Sequence, residues 1–431
     1  MKELFETPSA SVLVIGGGPA GLMAAIGAAR SGAKVTLLEK GKRLGRKLLI
    51  SGGGRCNVTN ARGIDHIVEN TPGNGRFLFS ALHQWSNEDI IRFFQELGVK
   101  LKEEDRGRMF PVTNRASTVL DALLRELDLY EVRVEFGAVV KKVIYQEKTD
   151  NFTVHIQSGG TFEGSSVVVA VGGCSVPETG STGDGYIFAQ AFGHTIIEPY
   201  PTSVALVSHD EVIQSKVLQG LSLRQAVLRL YDPRGRLTAT EDGDILFTHF
   251  GLSGPAALRI SQYAVKNWEK FGAQPLLLTI DTDPQKSIED WIEQIFAIGK
   301  TMPKRAIRTI LRDVTATSLA NYLVDALQLP GDLAAADMNK HDVAEFVNYL
   351  KVFPLHIADT LGLSRATVTG GGISVKEIDP RTMQSRRQPG LFFAGEVMDV
   401  HAHTGGYNIT VAFSTGYVAG QHAAMRNEFG S

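Results

Sequence analysis

Three observations in the 431-residue sequence predict an α/β fold built on a parallel sheet and interrupted by a long insertion. The chain opens with a strand, a glycine turn, a helix and a second strand over residues 12–39. A buried strand and a small-residue helix close it over residues 390–420. Between them, from about residue 199 to 363, the pattern changes to short strands with turns and then to helices. Strands alternating with helices pack as a parallel sheet with helices on its faces. At about 100–200 residues per domain, the length allows two to three domains.

The opening unit is the most informative. Val12-Leu13-Val14-Ile15 is a continuous apolar run, as expected of a strand covered on both faces. Gly16-Gly17-Gly18-Pro19-Ala20-Gly21 follows at once and reads G-x-G-x-x-G at 16, 18 and 21. Gly16 permits the tight turn, Gly18 lets the backbone approach a pyrophosphate, and Gly21 lets helix pack on strand. The small-residue helix Leu22–Arg30 offers free N–H groups and a partial positive charge at its start. Lys34-Val35-Thr36-Leu37-Leu38 forms the second strand and ends at Glu39, whose carboxylate suits the two hydroxyls of an adenosine ribose. With strand, helix, strand and acid in register, the motif predicts dinucleotide binding in a Rossmann-like domain.

Lys40, Lys42, Arg43, Arg46 and Lys47 come next, open to three readings: a solvated loop, pyrophosphate neutralisation, or a nucleic-acid patch. The last is disfavoured in a chain of net charge −2, which has no global field for polyanions or membranes. A second glycine cluster, Ser51-Gly52-Gly53-Gly54-Arg55-Cys56-Asn57, is too close to the first to begin another nucleotide domain. It is expected to lie as an extended loop along the same ligand. A hairpin is expected at residues 140–145 and 151–156, and a further buried strand at 166–171 ending in Gly172-Gly173. Gly390–Ala394 is the last buried strand, followed by Gly395-Glu396, then Thr404-Gly405-Gly406-Tyr407-Asn408 and an apolar helix from Ile409. A cofactor reached from both ends of the chain is larger than a nicotinamide dinucleotide, and FAD fits. The closing helix would direct its N-terminus at the flavin carbonyls, a dipole effect of about 0.3–2 kcal/mol. No second G-x-G-x-x-G opens a βαβ unit, so NAD(P)H is expected only as a transient visitor.

In the insertion, short strands are read at residues 203–207, 226–231, 236–240, 244–248 and 275–280, with a turn at Asp232-Pro233-Arg234-Gly235. From Ser287 the period becomes helical, with Ile288, Trp291, Ile292, Ile295 and Phe296 on one face. Further helices are expected at 304–312, 318–327 and 340–350, with the main sheet resuming near Thr367.

Four blocks in order resemble the BaiN-like flavoproteins. They are Arg46–Asn60, Gly172–Tyr186, Phe247–Pro255, and Gly395–Asp399 with Thr404–Asn408. The resemblance covers nearly the whole chain and implies bound FAD in a two-dinucleotide-binding type of fold, with an inserted β-barrel and a small helical part. Three parts are thus expected: residues 1–198 with 364–431, 199–285 with 351–363, and 286–350. It also implies an NAD(P)/FAD-dependent oxidoreductase; activities in that family include reduction of unsaturated oxo-steroids and oxidation of aminoacetone. Expected cofactor contacts are Gly16, Gly18, Pro19, Ala20, Gly21, Glu39, Lys40, Lys47, Ser51, Gly52, Gly53, Arg55, Cys56 and Asn57. From later segments come Val140, Ala170, Gly172, Gly173, Gly395, Glu396, Gly405, Gly406, Tyr407, Asn408 and Ile409.

A flavin enzyme needs side chains mainly for positioning and proton supply. His401 and His403, between the Gly395-Glu396 turn and the closing helix, are the candidate proton relays, with Tyr407 as a phenolic donor. The bland alternative is a histidine bonded to loop backbone. Cys56 beside Arg55 invites a redox-thiol reading, but no C-x-x-C partner exists. No thiolate or acid grouping completes a zinc site with His249, His401 or His403, and no metal is expected. Two cysteines, the acidic start at residues 1–6 and the absence of a long apolar run fit a cytoplasmic chain with no membrane partner. The favoured function is reduction of an activated C=C in a small organic substrate by a monomer or homodimer. The alternatives are oxidation of small amines by oxygen, and a flavin-bearing RNA-modifying protein.

Overall fold

The computed structural model describes residues 10–426. The N-terminal stretch 1–6, read above for a targeting signal, lies outside them. The chain divides into two units, one of residues up to Tyr200 with those from Thr367 onward, the other Pro201–Ala366.

The first unit is organised by a five-stranded parallel sheet in the order Leu391–Phe393, Ser166–Val169, Ser11–Ile15, Lys34–Glu39, Arg133–Phe136. Its central strands are buried on both faces, with Val12, Val14, Leu37, Val168 and Phe393 inaccessible to solvent. That burial is why the sequence shows unbroken apolar runs there rather than alternation. The helix Pro19–Arg30 follows the first strand with Pro19 at its first position, where the missing N–H costs nothing. It packs on the closing helix Tyr407–Ala424 at backbone distance. A Cβ at Gly416 would overlap the Ala20 carbonyl, and one at Gly420 the Ala24 carbonyl. Both partners advance four residues together, so the two helices run parallel.

Two antiparallel sheets flank this layer. The expected hairpin is Val140–Gln146 with Asn151–Ile156, and a third strand, Thr161–Gly164, joins it. Thr59–Asn60, Arg108–Pro111 and Leu101–Glu104 form another sheet that sequence reasoning did not anticipate, because Lys102-Glu103-Glu104-Asp105-Arg106 carries no apolar alternation. The main sheet does not resume at Thr367. Val368–Ile373 pairs with Ile196–Thr202 in a separate two-stranded sheet. Gly371, at φ +79°, brings its backbone against that of Glu198, an approach closed to any residue with a Cβ.

The second unit contains a closed six-stranded barrel: Leu206–Ser208, Gly251–Ser253, Leu237–Phe247, Ser222–Tyr231, Leu276–Asp281, Phe353–Thr360. The strands read at 236–240 and 244–248 are one, Leu237–Phe247. Its hairpin turn is held by Asp232, whose Oδ1 accepts the N–H groups of Arg234 and Arg236 at 2.9 Å. Helices Ile288–Thr301, Ile307–Val314, Thr317–Ala326 and Lys340–Lys351 share one core with the barrel through Trp291, Ile310, Phe346, Phe353 and Ile357. Sequence reasoning missed Pro255–Phe271. Apart from Ile260, its buried positions are small or polar, among them Ala256, Ala257, Arg259, Gln262 and Asn267, so the helical period is masked. Arg259 is held there by Glu241 at 2.6 Å.

Candidate functional site

Helix Pro19–Arg30 starts at the C-terminal end of its strand, and the closing helix runs parallel to it. Both positive ends therefore open toward the side where α/β sheets bind ligands. Neither helix start carries a side-chain cap, which leaves first-turn N–H groups for a ligand. Gly395 ties the two ends together: a Cβ there would lie 2.7 Å from the Ala20 Cβ and 3.9 Å from Ala412.

Around the first helix the glycines have different reasons. Gly16, at φ +104°, turns so tightly that a Cβ would meet the Ala170 carbonyl oxygen at 2.6 Å. Gly21 lies against the Gly16 carbonyl. Gly18 needs neither freedom: its backbone is extended (φ −79°, ψ −177°), and a Cβ would find nothing within 4 Å. The protein's own packing would admit a larger residue there. Glu39 Oε2 accepts the Gly17 N–H at 2.8 Å and Oε1 the Gly41 N–H at 2.6 Å. A carboxylate has about four acceptor positions, so two bonds fix its direction and leave capacity for ribose hydroxyls. An open phosphate position above a helix start, beside an oriented acid, fits FAD. Val140 sits half-buried near Glu39, following Ala138, whose N–H bonds the Glu39 carbonyl at 3.0 Å.

The basic run is mostly engaged. Lys40 binds Asp184 and Thr182, each at 2.6 Å. Arg46 donates to the Glu178 carbonyl. Lys47 reaches Glu396 Oε2 at 2.8 Å and Ser175 Oγ at 2.7 Å. Only Lys42 and Arg43 of this run lack a side-chain role in these contacts and lie exposed. Glu396 Oε1 also accepts the Thr369 N–H at 2.7 Å and the Ser175 hydroxyl at 3.0 Å. Burial acts to raise its pKa, but Lys47 and these donors outweigh it and hold the carboxyl below its ordinary value. Gly172 adjoins the cluster, 3.8 Å from Glu396 Oε2 at its Cβ position, and Gly173 packs on Thr369. Sequence reasoning named Lys47 and Glu396 but missed Ser175 and Thr369. The signals were there: Ser175 stands within the Gly172–Tyr186 block, and Thr369 precedes three glycines.

The second glycine cluster is a tight turn, not an extended loop. Gly52, Gly53 and Gly54 all take positive φ and are exposed, and Cys56 follows at φ +61°. Ser51 caps the preceding turn through the Leu48 carbonyl. Arg55 is bonded to Glu104 at 3.0 and 3.2 Å and stacks on Phe110 at 4.0 Å. The Cys56 thiol is fully buried, which pushes its pKa up to about 12; this removes the redox-thiol reading and leaves only its backbone to meet a ligand. Asn57 Oδ1 accepts the Met109 N–H at 3.1 Å and borders Gly406.

At the closing helix, Gly406 backs onto the Thr59 carbonyl, with a Cβ position 2.5 Å away. Ile409 is half-buried in the first turn. Asn408, expected as a ligand for flavin carbonyls, spends its amide on the loop before the helix. Its Oδ1 accepts the Ala402 N–H at 2.9 Å, and its Nδ2 donates to the carbonyls of Ala402 and His403 at 2.8 and 3.2 Å. That loop carries His401 and His403, both buried. The Gly73 N–H bonds the His401 carbonyl at 3.1 Å, the His403 N–H bonds the Asn70 carbonyl at 2.9 Å, and the His401 ring meets Tyr200 edge-on at 5.6 Å. Tyr407 Oη lies 3.0 Å from His66 Nε2, and His66 in turn contacts Asn70 Nδ2 at 3.3 Å. His66 carried no motif, and only the fold brings it there. Among the described residues, no three or more His, Cys, Asp or Glu side chains gather as metal ligands, and no helix is long and apolar enough to cross a membrane.

Residues 10–422 match the family described as HI0933-like protein Rossmann domain. The chain belongs to that family. It is 32% identical over 412 residues to the ribosomal RNA dihydrouridine synthase of Haemophilus influenzae, covering 94% of this chain and 96% of the relative. It is 29% identical over 419 residues to the 3-dehydro-bile acid delta(4,6)-reductase of Clostridium scindens, covering 96% and 98%. Among solved structures, the 3-ketosteroid-delta4-(5alpha)-dehydrogenase of Rhodococcus jostii RHA1 superposes with a TM-score of 0.50 at 18% identity, covering 98% of both chains. That likeness speaks to fold alone. The family and relatives bear out the BaiN-like resemblance, the Rossmann-like fold with inserted barrel and helices, and the enzyme class, an FAD-dependent oxidoreductase.

Proposed function

We propose that this chain binds FAD between its two parallel helix starts and reduces a C=C bond conjugated to a carbonyl, with NAD(P)H as electron donor. The observation that carries the reading is Gly18, a residue the fold itself does not require to be glycine. Its N–H and those of Ala20 and Gly21 would hold the pyrophosphate, and Glu39 would take the adenosine ribose. Gly405, Gly406 and the N–H groups of the closing helix would hold the flavin end of FAD, and the Gly52-Gly53 turn, Gly172, Gly173 and Gly395 would supply close backbone. When bound, FAD supplies two-electron hydride exchange between a nicotinamide and a substrate carbon. The net reaction adds a hydride to the β-carbon and a proton to the α-carbon, and NAD(P)H leaves as NAD(P)+. The chain must supply the proton. Tyr407 Oη holds it, buried at the helix start, and His66 Nε2 at 3.0 Å replenishes it from the half-exposed side. Asn408 keeps the His401–His403 loop against the same helix.

Relatives support the reaction class: one is named a delta(4,6)-reductase and another forms dihydrouridine, which is uridine with its conjugated C=C saturated. The test is anaerobic mixing of the purified protein with NADH and with NADPH. The expected result is loss of the flavin absorption bands with at least one donor and their return on adding a conjugated enone. Failure of both donors to bleach the flavin refutes the reductase.

A further inference from the structure

The basic run after the second strand is tied to a loop that leaves the sheet two strands away. In the main sheet, Ser11–Ile15 lies between Lys34–Glu39 and Ser166–Val169, and all three run parallel. Residues 40–47 and 170–183 therefore leave the carboxyl ends of the two flanking strands, on either side of the Gly16–Gly21 turn. Residues 40–47 lean on that turn. The Gly45 N–H bonds the Gly17 carbonyl at 2.8 Å, and the Leu44 side chain closes on Gly17. Lys40 then reaches the other loop, donating to Thr182 Oγ1 and Asp184 Oδ2, each at 2.6 Å. Arg46 donates to the Glu178 carbonyl. The two loops are thus clasped to each other across the carboxyl end of the first strand.

The second loop has a fixed base and a lightly held tip. At the base, the Gly183 N–H closes on the Gly173 carbonyl at 3.2 Å, and the Cys174 and Ser175 N–H groups both bond Thr369 Oγ1 at 2.9 Å. The tip is residues 176–182. Pro177, Glu178 and Thr182 are exposed there, and Ser181 is buried against Gly172. Val176 stands at φ +50°, in the left-handed region where a β-branched side chain is strained. Such a conformation persists only where its surroundings enforce it. With little apolar burial of its own, the tip is held chiefly by Lys40 and Arg46. A segment of this kind opens more readily than the sheet beneath it, and Gly180 and Gly183, at φ +107° and +79°, give it pivots.

We propose that the 176–182 tip is a strap over the dinucleotide groove, and that the Lys40–Asp184 pair is the latch that sets how fast FAD enters and leaves. The proposal rests on the reading above, which runs the cofactor from Glu39 past Gly18 to the closing helix, and it adds a regulation of that same site. A strap clasped along this line must lift before an extended dinucleotide can pass. The latch suits that part because it is strong enough to hold and open enough to break. The Lys40 and Asp184 side chains keep 29% and 38% exposure, so water and salt compete for them. Lys47, bonded to the base at Ser175 and to Glu396, stays in place when the tip lifts. Lys40 thereby acts through Asp184, in the first turn of helix Asp184–Ala191, rather than as a ligand for the phosphates. A latch differs from a ligand in one measurable way: weakening it speeds passage in both directions and leaves the equilibrium nearly unchanged.

The test follows FAD release and uptake in the full chain. Release is read from the rise in free-flavin fluorescence when the holoprotein is diluted, and uptake from its quenching when FAD is added to the stripped protein. Wild type is compared with Lys40→Met, Asp184→Asn, the double variant and the control Lys42→Met, which removes an exposed neighbouring charge. Each of the first two variants should raise both rates about two- to fivefold, with the dissociation constant changed by less than about twofold. The double variant should be no faster than either single, and the control should match wild type. At high salt, where the wild-type pair is itself screened, the acceleration should shrink. Faster release with unchanged uptake in Lys40→Met, beside unchanged rates in Asp184→Asn, makes Lys40 an ordinary cofactor contact and overturns the strap. Unchanged rates in both singles, an equal acceleration in the control, or an acceleration undiminished by salt overturns it as well. A wild type that takes up no FAD refutes the cofactor reading and the strap together. A wild type that binds FAD while the variants leave both rates unmoved refutes the strap alone.

Discussion

Replacing Lys47 by methionine tests whether the Glu396 cluster is an electrostatic lock. In the wild type the Glu396 carboxylate accepts from Lys47 at 2.8 Å, Ser175 at 3.0 Å and the Thr369 N–H at 2.7 Å. Removing one member of a fully buried pair costs about 3–5 kcal/mol. Here the side chains of Lys47 and Glu396 keep 25% and 20% exposure, and two neutral donors remain, which brings the expectation to about 1–3 kcal/mol. At about 2 °C per kcal/mol for a unit of this size, the melting temperature near neutral pH falls by about 2–6 °C. The pH dependence carries the stronger test. A carboxyl held low in the folded state contributes stability above its unfolded value of about 4.3, and that contribution disappears as pH falls through the folded value. Without Lys47, the burial that opposes ionisation is no longer outweighed, and Glu396 protonates at higher pH. The deficit of Lys47→Met relative to wild type is therefore full at neutral pH and shrinks as pH drops toward and below the ordinary carboxylate range. Melting curves of both proteins across pH decide it. A deficit that stays constant with pH refutes the electrostatic account and points to lost packing.

Three further outcomes follow from the same geometry. Asn408→Ala strips three bonds from the Ala402–His403 backbone, at about 1–3 kcal/mol; turnover should fall beyond what the loss of folded protein explains, and equal losses would reduce Asn408 to a purely structural role. Tyr407→Phe should leave flavin reduction by the nicotinamide intact while slowing substrate reduction at least tenfold, with an altered pH profile that His66→Gln shares; an unchanged profile in both removes the pair as proton source. Cys56, buried and raised to about 12, should resist iodoacetamide in the native protein and react after unfolding, and Cys56→Ser should retain turnover; rapid native labelling at Cys56 would contradict its placement.

The first nucleotide-binding unit was legible because its physics is local. A doubly buried strand must be apolar throughout, and the turn into the helix leaves little choice at Gly16 and Gly21. The barrel hairpin was legible for the same reason, through Asp232 and its turn. The sheet carrying Arg108 and Lys102 was hidden because Lys102-Glu103-Glu104-Asp105-Arg106 shows no apolar alternation, even though Met109 and Phe110 on the neighbouring strand are buried. Helix Pro255–Phe271 was hidden by a buried face that, Ile260 apart, is small and polar. Within the candidate site, residues adjoining glycine turns could be named, while Ser175, Thr369 and His66 act through contacts that only tertiary structure creates. Asn408 is the opposite case: its position at a helix start suggested a ligand, and its amide is bonded to the neighbouring Ala402–His403 backbone, a contact the sequence did not reveal.

The most direct measurement uses Gly18→Val. Its backbone angles suit any residue, and a Cβ meets no protein atom within 4 Å, so the substitution leaves the fold intact apart from a helix-cap cost of about 1 kcal/mol. Wild-type and variant proteins are purified side by side, and their bound flavin is released and quantified against protein. The account predicts a yellow wild type with FAD near one per chain and a well-folded variant that is colourless and takes up no added FAD. A Gly18→Val protein that retains FAD as fully as the wild type would contradict the placement of the cofactor between the two helix starts.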